Sequence, residues 1–204
     1  MEAIKALKEL REEKKRKFDQ SVDLIMNLKN FDVRREALNT FIFLPNGSDK
    51  KLAGFFSKRN GKIDTITEED FVKYKDLKDI KKLAKKYDYF LAEAPMMGKV
   101  ATKFGRVFGP MNKMPSPLAG IIPQLNDDTL GAMIEKMRGA VRIKNKEMAI
   151  KIRVGKESMS DEKIVENIDA AIKELEKKLP RGRENVKEVL IKFTMTKPVV
   201  VVEK

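Results

Sequence analysis

The 204-residue chain contains no cysteine and no histidine. Without thiol or imidazole groups it can form no disulfide, no zinc site with Cys or His ligands, and no catalytic dyad or triad that depends on either group. No carboxylate cluster has the spacing of a metal-binding loop either. We therefore expect a protein that is not an enzyme and that holds no metal or cofactor.

Long apolar runs are also missing. With 37% charged residues, no stretch approaches the roughly 20 apolar positions that a bilayer-spanning helix needs. The segment from Met1 to Phe18 mixes Glu with Lys and Arg and has no continuous apolar part, unlike secretory and organellar targeting peptides. These absences predict a cytoplasmic protein that binds no membrane.

Positive charge is what the sequence has in excess. It has 44 Lys and Arg residues against 31 Asp and Glu residues, a formal net charge of +13, and 42% of its residues are apolar, enough for one or two cores. Cations that contact a phosphate backbone release counterions and so favour binding directly. The composition favours nucleic acid as a partner, and a basic surface that is merely solvated is the alternative.

Alternating apolar residues predict strands near the N-terminus. Val22, Leu24, Met26 and Leu28 would share one strand face, with Asp23, Ile25 and Asn27 on the other. Thr40 to Leu44 predicts a second strand of the same sheet, which stops at the turn Pro45-Asn46-Gly47. Before them, Ile4, Leu7 and Leu10 predict a short amphipathic helix.

The last third of the chain shows the same alternation of apolar and polar residues. Val141 to Val154 predicts an antiparallel hairpin that turns at Asn145-Lys146, with Met148, Ile150, Ile152 and Val154 on one face. Ser160 is expected to cap a helix that buries Ile164, Val165, Ile168, Ala171, Ile172, Leu175 and Leu179 and ends at Pro180. Strands are expected at Val186 to Met195 and Val199 to Val202.

The middle of the chain alternates strands and helices. Short apolar runs at Leu52 to Phe56, Ile63 to Ile66 and Tyr89 to Ala92 are interleaved with amphipathic helices. One helix begins near Asp76 and would bury Leu77, Ile80, Leu83, Ala84 and Tyr87, and another would bury Leu130, Met133, Ile134 and Met137. This alternation is typical of a parallel sheet with helices on its faces.

Both ends of the chain show alternating apolar residues, whereas the middle interleaves strands and helices. This change of pattern predicts two domains of α/β class. Residues 1–48 and 139–204 would form one α+β domain from both termini, and residues 49–138 an inserted α/β domain with three layers. Between the helices of the inserted part, Gly105 to Gly120 is so rich in Gly and Pro that we expect an ordered loop or a lid.

Neither a G-x-G-x-x-G nor a G-x-x-x-x-G-K-[ST] pattern occurs, which disfavours a nucleotide cofactor. Three segments remain as candidate sites. Arg106 and Lys113, in the Gly- and Pro-rich segment, could wrap an anion, although a surface loop or interdomain latch fits the composition better. Lys17-Phe18-Asp19-Gln20-Ser21, preceded by Lys14, Lys15 and Arg16, and Phe193 to Pro198 offer aromatic, hydroxyl and cationic groups for RNA. A core Phe18 and ordinary strand threonines are the alternatives.

Taken in order, several motifs resemble one family. They are K-F-D-x-S (Lys17 to Ser21), L-P-N-G (Leu44 to Gly47), G-x-x-F-G-P-x-x-K-M-P-x-P (Gly105 to Pro117), V-G (Val154-Gly155) with E-N-I (Glu166 to Ile168), and T-M-x-x-P (Thr194 to Pro198). This order resembles the universal large-subunit ribosomal protein of the mobile lateral stalk beside the tRNA exit site, in its archaeal-type version. Asn112 and Thr196 depart from the family pattern, which has Gly at both places.

The resemblance implies a non-enzymatic protein whose terminal domain binds large-subunit rRNA and whose inserted, Rossmann-like domain moves on linkers near residues 48 and 139. It also implies a monomer when free, contact with exit-site tRNA, and repression of the protein's own mRNA. Matching by position assigns RNA contacts to Lys17, Phe18, Gln20, Ser21, Thr194, Met195, Thr196 and Lys197. The matched loop residues of the inserted domain are Gly105, Arg106, Gly109, Pro110, Lys113, Met114 and Pro115.

Two rival functions remain at this stage. One is an RNA-modifying or nucleotide-dependent enzyme that uses the inserted domain, and it lacks a phosphate-binding loop or a convergent acid and base. The other is a basic protein that binds acidic membranes, and it lacks a strongly basic helix with a bulky apolar face.

Overall fold

The computed structural model describes residues 2–13, 16–36, 38–47, 50–123, 126–145 and 147–203. Its helices and strands, in chain order, are α1 (Glu2–Glu12), β1 (Ser21–Leu28), β2 (Asn39–Phe43), β3 (Leu52–Phe55), β4 (Asp64–Ile66), α2 (Leu77–Lys86), β5 (Tyr89–Glu93), α3 (Met97–Phe108), β6 (Ile121–Ile122), α4 (Asp127–Arg138), β7 (Ala140–Lys144), β8 (Ala149–Lys156), α5 (Asp161–Lys178), β9 (Val186–Phe193) and β10 (Val199–Glu203). Short 3-10 helices lie at Glu69–Lys73, Ala94–Met96 and Gly182–Asn185.

By their backbone contacts these elements form two compact units. One consists of Met1–Ser48 and Gly139–Lys204, here called the terminal unit, and the other of Asp49–Arg138, here called the inserted unit. Both units combine helices with sheets, so the predicted α/β class is confirmed.

The main sheet of the terminal unit is antiparallel, with strand order β10-β9-β1-β8. The alternation in β1 is confirmed, because Val22, Leu24, Met26 and Leu28 are all buried and the residues between them are half-buried. The buried face of the sheet packs in one core with side chains of α1 and α5. Burial of one face is what makes period-2 patterning visible in this sequence.

The two helices of this core differ in how well the sequence predicts them. In α5 the residues Ile164, Ile168, Ala171 and Leu175 are buried as expected, and Val165 and Ile172 are half-buried. Ser160 stands at the N-cap, but its side chain makes no capping hydrogen bond. In α1 the buried stripe is Ala3, Ala6, Leu7 and Leu10, and Ile4 is exposed, contrary to the prediction. Ala3 and Ala6 are small and let the helix pack closely against the core, whereas the spacing of the large residues predicts Ile4 on the buried side.

Two predicted strand pairings are wrong. Strand β2 does not join the sheet of β1 but pairs with β7 in a separate two-stranded ladder. Strands β7 and β8 therefore form no hairpin, since β8 pairs with β1. Met148, predicted on the buried face of β8, precedes the strand and is exposed. Alternation identifies a strand and its faces, but it contains no information about the partner strand.

The inserted unit has the parallel sheet that the sequence predicts, with order β4-β3-β5-β6. Helices α2 and α3 pack on one face, in a core that includes Phe90 and Ala92 of β5. Leu91 points to the other face and is also buried, and α4 lies near β3. The prediction placed Leu77 on the buried side of α2, and the structure leaves it exposed at the first helical position.

The breaker-rich segment is only partly a loop. Gly105 to Phe108 form the last turn of α3, which contradicts the prediction of irregular structure from Gly105 onward. A helical glycine costs about 1 kcal/mol relative to alanine, and burial of Val107 and Phe108 outweighs that cost. Asn112 has a φ of 55°, in the left-handed region, where glycine and asparagine are the residues most easily accommodated.

The chain leaves and re-enters the terminal unit at neighbouring points. The Leu44 N–H donates to the Gly139 carbonyl oxygen at 2.9 Å, and a Cβ at Gly139 would lie 2.2 Å from the Leu44 oxygen, so only glycine fits there. The buried side-chain amide of Asn167 in α5 holds the next turn. It accepts a hydrogen bond from the Asn46 N–H and donates one to the Asn46 carbonyl, both at 2.9 Å. Two motifs far apart in the sequence thus brace this crossing point.

None of the described helices is long and apolar enough to cross a bilayer.

Candidate nucleic-acid interface

The first strand begins where the ninth ends. Val22 pairs with Phe193 across the β1-β9 ladder, and the Ser21 N–H donates to Thr194 Oγ1 at 3.0 Å. Antiparallel pairing therefore places the start of β1 beside the end of β9, although the two segments are 173 residues apart in the chain. The two candidate segments from the two ends of the chain therefore meet where the central strands β1 and β9 begin and end.

A tight turn follows β9. The hydroxyl oxygen of Thr196 accepts a hydrogen bond from the Phe193 N–H at 2.9 Å, and the Thr196 N–H donates to the Phe193 carbonyl at 3.3 Å. Thr196 does not have a positive φ, so a β-branched residue fits where the family pattern has glycine. The turn projects Met195, which is 56% exposed.

Gln20 lies beneath this turn rather than on its surface. Gln20 is only 2% exposed, its amide nitrogen donates to Glu157 at 3.2 Å, and its amide oxygen accepts from the Met195 N–H at 3.1 Å. Both ends of the side chain are thus bonded within the protein. In this geometry the Gln20 side chain holds the Met195 backbone in place, and its assignment to direct RNA contact stays a prediction.

Asp19 ties the start of β1 to the turn after β8. Its two carboxylate oxygens accept from the N–H and the hydroxyl of Ser158, at 3.0 and 2.9 Å, and Lys156 Nζ lies 3.9 Å away. No local signal in the sequence identifies Ser158 or Glu157, because they approach Asp19 and Gln20 only through the β1-β8 ladder.

The surface of these segments is both apolar and cationic. Phe18 is 52% exposed, so the alternative that it is a core residue is wrong. Beside Phe18 and Met195 stand exposed cations and a hydroxyl. We call this surface the strand-end patch, which consists of Arg16, Lys17, Phe18, Ser21, Thr194, Met195, Thr196 and Lys197. Lys14 and Lys15, proposed to steer RNA to this place, lie outside the described residues.

Two positions after Ser21 in β1, side chains of opposite charge lie on neighbouring strands. Asp23 of β1 pairs with Lys192 of β9 on one side and with Arg153 of β8 on the other. Burial raises the pKa of the Asp23 carboxyl, and the two flanking cations oppose that effect. The carboxylate offsets part of the cationic charge of this row.

The loop residues of the inserted unit have structural partners. Gly105 and Arg106 belong to α3, Gly109 follows it as the C-cap, and Pro110 is exposed. Lys113 is half-buried and donates through Nζ to the Tyr87 carbonyl, while its N–H donates to the Phe108 carbonyl at 2.9 Å. Met114 packs against the core and Pro115 is buried. These contacts hold the segment against its own unit, and the binding of an anion by Arg106 and Lys113 stays a prediction.

No group of three or more acidic residues among the described ones is arranged to hold a metal ion. The strand-end patch contains an exposed aromatic ring, an exposed thioether, hydroxyls and cations, groups that many RNA-binding proteins use.

Comparisons with known proteins point to one family. The model of the Ribosomal protein L1p/L10e family matches residues 10–197. The chain is similar to the large ribosomal subunit protein uL1 of Nanoarchaeum equitans, with 37% identity covering 96% of this chain and 97% of the relative. It is similar to the uL1 proteins of Methanothermobacter thermautotrophicus, with 36% identity covering 96% and 94%, and of Pyrococcus horikoshii, with 36% identity covering 94% and 91%.

Proposed function

Because the chain belongs to the ribosomal protein L1p/L10e family, we propose that it is a structural protein of the large ribosomal subunit that binds large-subunit rRNA through the strand-end patch. The family is one of ribosomal proteins and not of enzymes, which removes the RNA-modifying or nucleotide-dependent enzyme as an alternative. The protein would accordingly act in the cytoplasm, as part of the ribosome.

The meeting of the two chain-end segments is the observation that supports this placement of the RNA. Phe18 presents an exposed ring on which a base can stack, and Met195 adds exposed apolar surface on the turn that Gln20 holds. The oxygen of Thr194 already accepts from Ser21, so its hydroxyl hydrogen is the group that can be donated to a ribose or phosphate oxygen. Lys17 and Lys197 would neutralise neighbouring phosphates.

The position of the protein in the ribosome and its regulation are finer parts of the proposal. We place it in the mobile stalk near the tRNA exit site, in contact with the exit-site tRNA, and we take it to be a monomer when free. It also represses its own mRNA, in which a structure like the ribosomal site occupies the same strand-end patch. Because one patch serves both RNAs, rRNA and mRNA compete.

Sequencing the RNA that copurifies with the full chain tests the proposal. We expect one segment of large-subunit rRNA to be enriched, together with the leader of the protein's own mRNA, and we expect the Phe18→Ala variant to lose both. RNA that reflects only cellular abundance, equally for the parent and the variant, would contradict the placement of the site.

Salt dependence provides a second measurement on the enriched rRNA segment. If phosphate contacts supply much of the affinity, log K falls linearly with log[salt], with a slope of about −0.9 per neutralised phosphate in a duplex and about −0.7 in a single strand. A flat salt response would show that the excess of Lys and Arg is not used on RNA. Competition by the mRNA leader tests regulation separately, because the leader must displace the rRNA segment from the parent protein.

A further inference from the structure

The inserted unit contains a cleft that the proposed function does not use. It has a volume of about 890 Å³ and runs between the segment that leads into β4, the 3-10 helix Glu69–Lys73 and one side of α2. Basic side chains outnumber acidic ones along it. The cations are Arg59, Lys62, Lys73, Lys82 and Lys86, and the acids are Asp64, Asp70 and Asp79.

A buried carboxylate holds two of the cations together. Asp70 is only 9% exposed and accepts hydrogen bonds from the N–H and hydroxyl of Thr67, at 3.3 and 3.0 Å. Lys73 Nζ lies 2.6 Å and Arg59 Nη2 lies 3.6 Å from the same carboxylate oxygen. Both cationic side chains are about 70% exposed, at 69% for Arg59 and 70% for Lys73, so their remaining donors face solvent at the cleft.

The other two acids are also bonded within the cleft. Asp64 accepts from the Tyr87 hydroxyl at 2.7 Å, and Asp79 lies 3.5 Å from Lys82. Burial raises the pKa of Tyr87, so its hydroxyl keeps the proton that it donates. A concave surface that contains more cations than acids focuses a positive potential and attracts a polyanion.

The aromatic rings of the cleft are not placed to stack on bases. Tyr87 is buried, with Lys86 Nζ 4.8 Å from its ring centroid, and the half-buried Tyr74 packs its ring against Phe104. The strand-end patch differs in this respect, because Phe18 presents an open ring there. A nucleic acid in the cleft would thus be held by its phosphates and not by its bases.

We propose that this cleft is a second RNA-binding site, which holds the phosphodiester backbone of a single-stranded segment without base specificity, with Arg59 and Lys73 as its central pair of cations. The site is independent of the strand-end patch, since all its residues belong to the inserted unit. The cleft by itself contributes salt-dependent affinity for single-stranded RNA, without sequence preference.

Lysine acetylation, read by mass spectrometry on the full chain, tests this with an oligouridylate of about 12 nucleotides as the probe. We expect the RNA to slow acetylation of Lys73, Lys82 and Lys86 at least threefold. Lys81 and Lys103 are exposed residues of the same unit that do not line the cleft, so their acetylation should not change. Equal protection of both sets, or of neither, would overturn the proposal.

A pair of charge-matched variants provides a second readout. Arg59→Gln with Lys73→Gln should weaken oligouridylate binding about tenfold at low salt and make the slope of log K against log[salt] shallower by about 1.4, which is two single-strand phosphates at about 0.7 each. Lys81→Gln with Lys103→Gln removes the same charge and should leave the slope unchanged. If both pairs reduce affinity and slope alike, only general charge is at work and the cleft is not a site.

Competitors and a patch variant distinguish the remaining outcomes. The variant Phe18→Ala should retain the protection of Lys73 even if it loses the rRNA segment, so the cleft and the strand-end patch can fail separately. Replacing the RNA by oligoglutamate of equal charge, or by ATP alone, should give little protection. Protection by oligoglutamate as strong as that by RNA would mean an acidic protein partner, and tight protection by ATP would mean a nucleotide site, and either result overturns the proposal.

Discussion

Replacing Phe18 by Ala should separate RNA binding from folding. Phe18 is 52% exposed, so a ligand can reach its side chain. One open face is enough to stack a single base, and such a stack is worth about 1 to 3 kcal/mol by alanine substitution. At 1.4 kcal/mol per tenfold change, the variant should bind the rRNA segment about 5- to 150-fold more weakly.

The free energy of unfolding should change far less. Surface substitutions away from the core usually change it by no more than about 0.5 kcal/mol, and Phe18 is not part of the described hydrophobic core. The assays are filter binding or fluorescence anisotropy for RNA and urea unfolding for stability. Phe18→Tyr keeps a stacking ring and should bind like the parent, while Phe18→Leu keeps apolar surface alone and should resemble Phe18→Ala.

Val200→Ala is the matched control, since Val200 is also an exposed apolar residue of the terminal unit, at 44%, and lies on β10 outside the patch. It should leave RNA binding unchanged. Parent-like binding by Phe18→Ala would refute the reasoning. So would a loss of binding that Val200→Ala shares, or a loss that parallels destabilisation of the fold.

Three further predictions concern other parts of the molecule. Thr194→Val should weaken RNA binding about tenfold because it removes the hydroxyl. The variants Thr194→Ser and Lys173→Gln should bind nearly like the parent. Equal binding by Thr194→Val would show that Thr194 is not part of the site. Replacing residues 50–137 by a short Gly/Ser linker should leave a terminal unit that is folded by circular dichroism and still binds RNA. The reason is that the chain leaves and re-enters this unit at the hydrogen-bonded pair Leu44 and Gly139. An unfolded product would show that the two units are not independent. Hydrogen bonds from Lys73 and from Thr67 lower the pKa of Asp70 from 3.8 to about 2. The stability that Asp70 supplies is therefore complete above about pH 4 and is lost as the pH falls toward 2. Urea unfolding of Asp70→Asn should lack this part of the acid dependence, and an unchanged dependence would contradict the assignment.

The sequence predicts elements far better than it predicts pairings. The period-2 pattern of β1 was sufficient because one face is buried and the other is not. The separate ladder of β2 and β7 could not be predicted, since partner choice depends on contacts about 100 residues apart in the chain. The end of α3 was missed for another reason, because the glycines at 105 and 109 suggested a loop while the packing of Phe104 and Phe108 keeps the last turn helical.

The site was predictable in parts. The residue types of the two chain-end segments suggested RNA, and the family resemblance placed them side by side, but the bracing by Gln20 and Asp19 depends on β8 and could not be read locally. Asn167 is different, because a signal was present in the sequence. It lies three residues after Ile164 and one before Ile168, on the buried stripe of α5, where a polar residue implies a specific buried partner.

Methionine oxidation by hydroxyl radicals shows whether RNA covers the strand-end patch. Met195 and Met148 are similarly exposed, at 56% and 50%. They lie at opposite ends of β1, since Met195 is held by Gln20 and the Met148 carbonyl accepts from the Leu28 N–H. The seven residue steps from Ser21 to Leu28 span about 24 Å. We expect the rRNA segment to protect Met195 and to leave Met148 as reactive as in the free protein. Protection of Met148 with Met195 unchanged would place the RNA at the wrong end of the sheet and contradict the account.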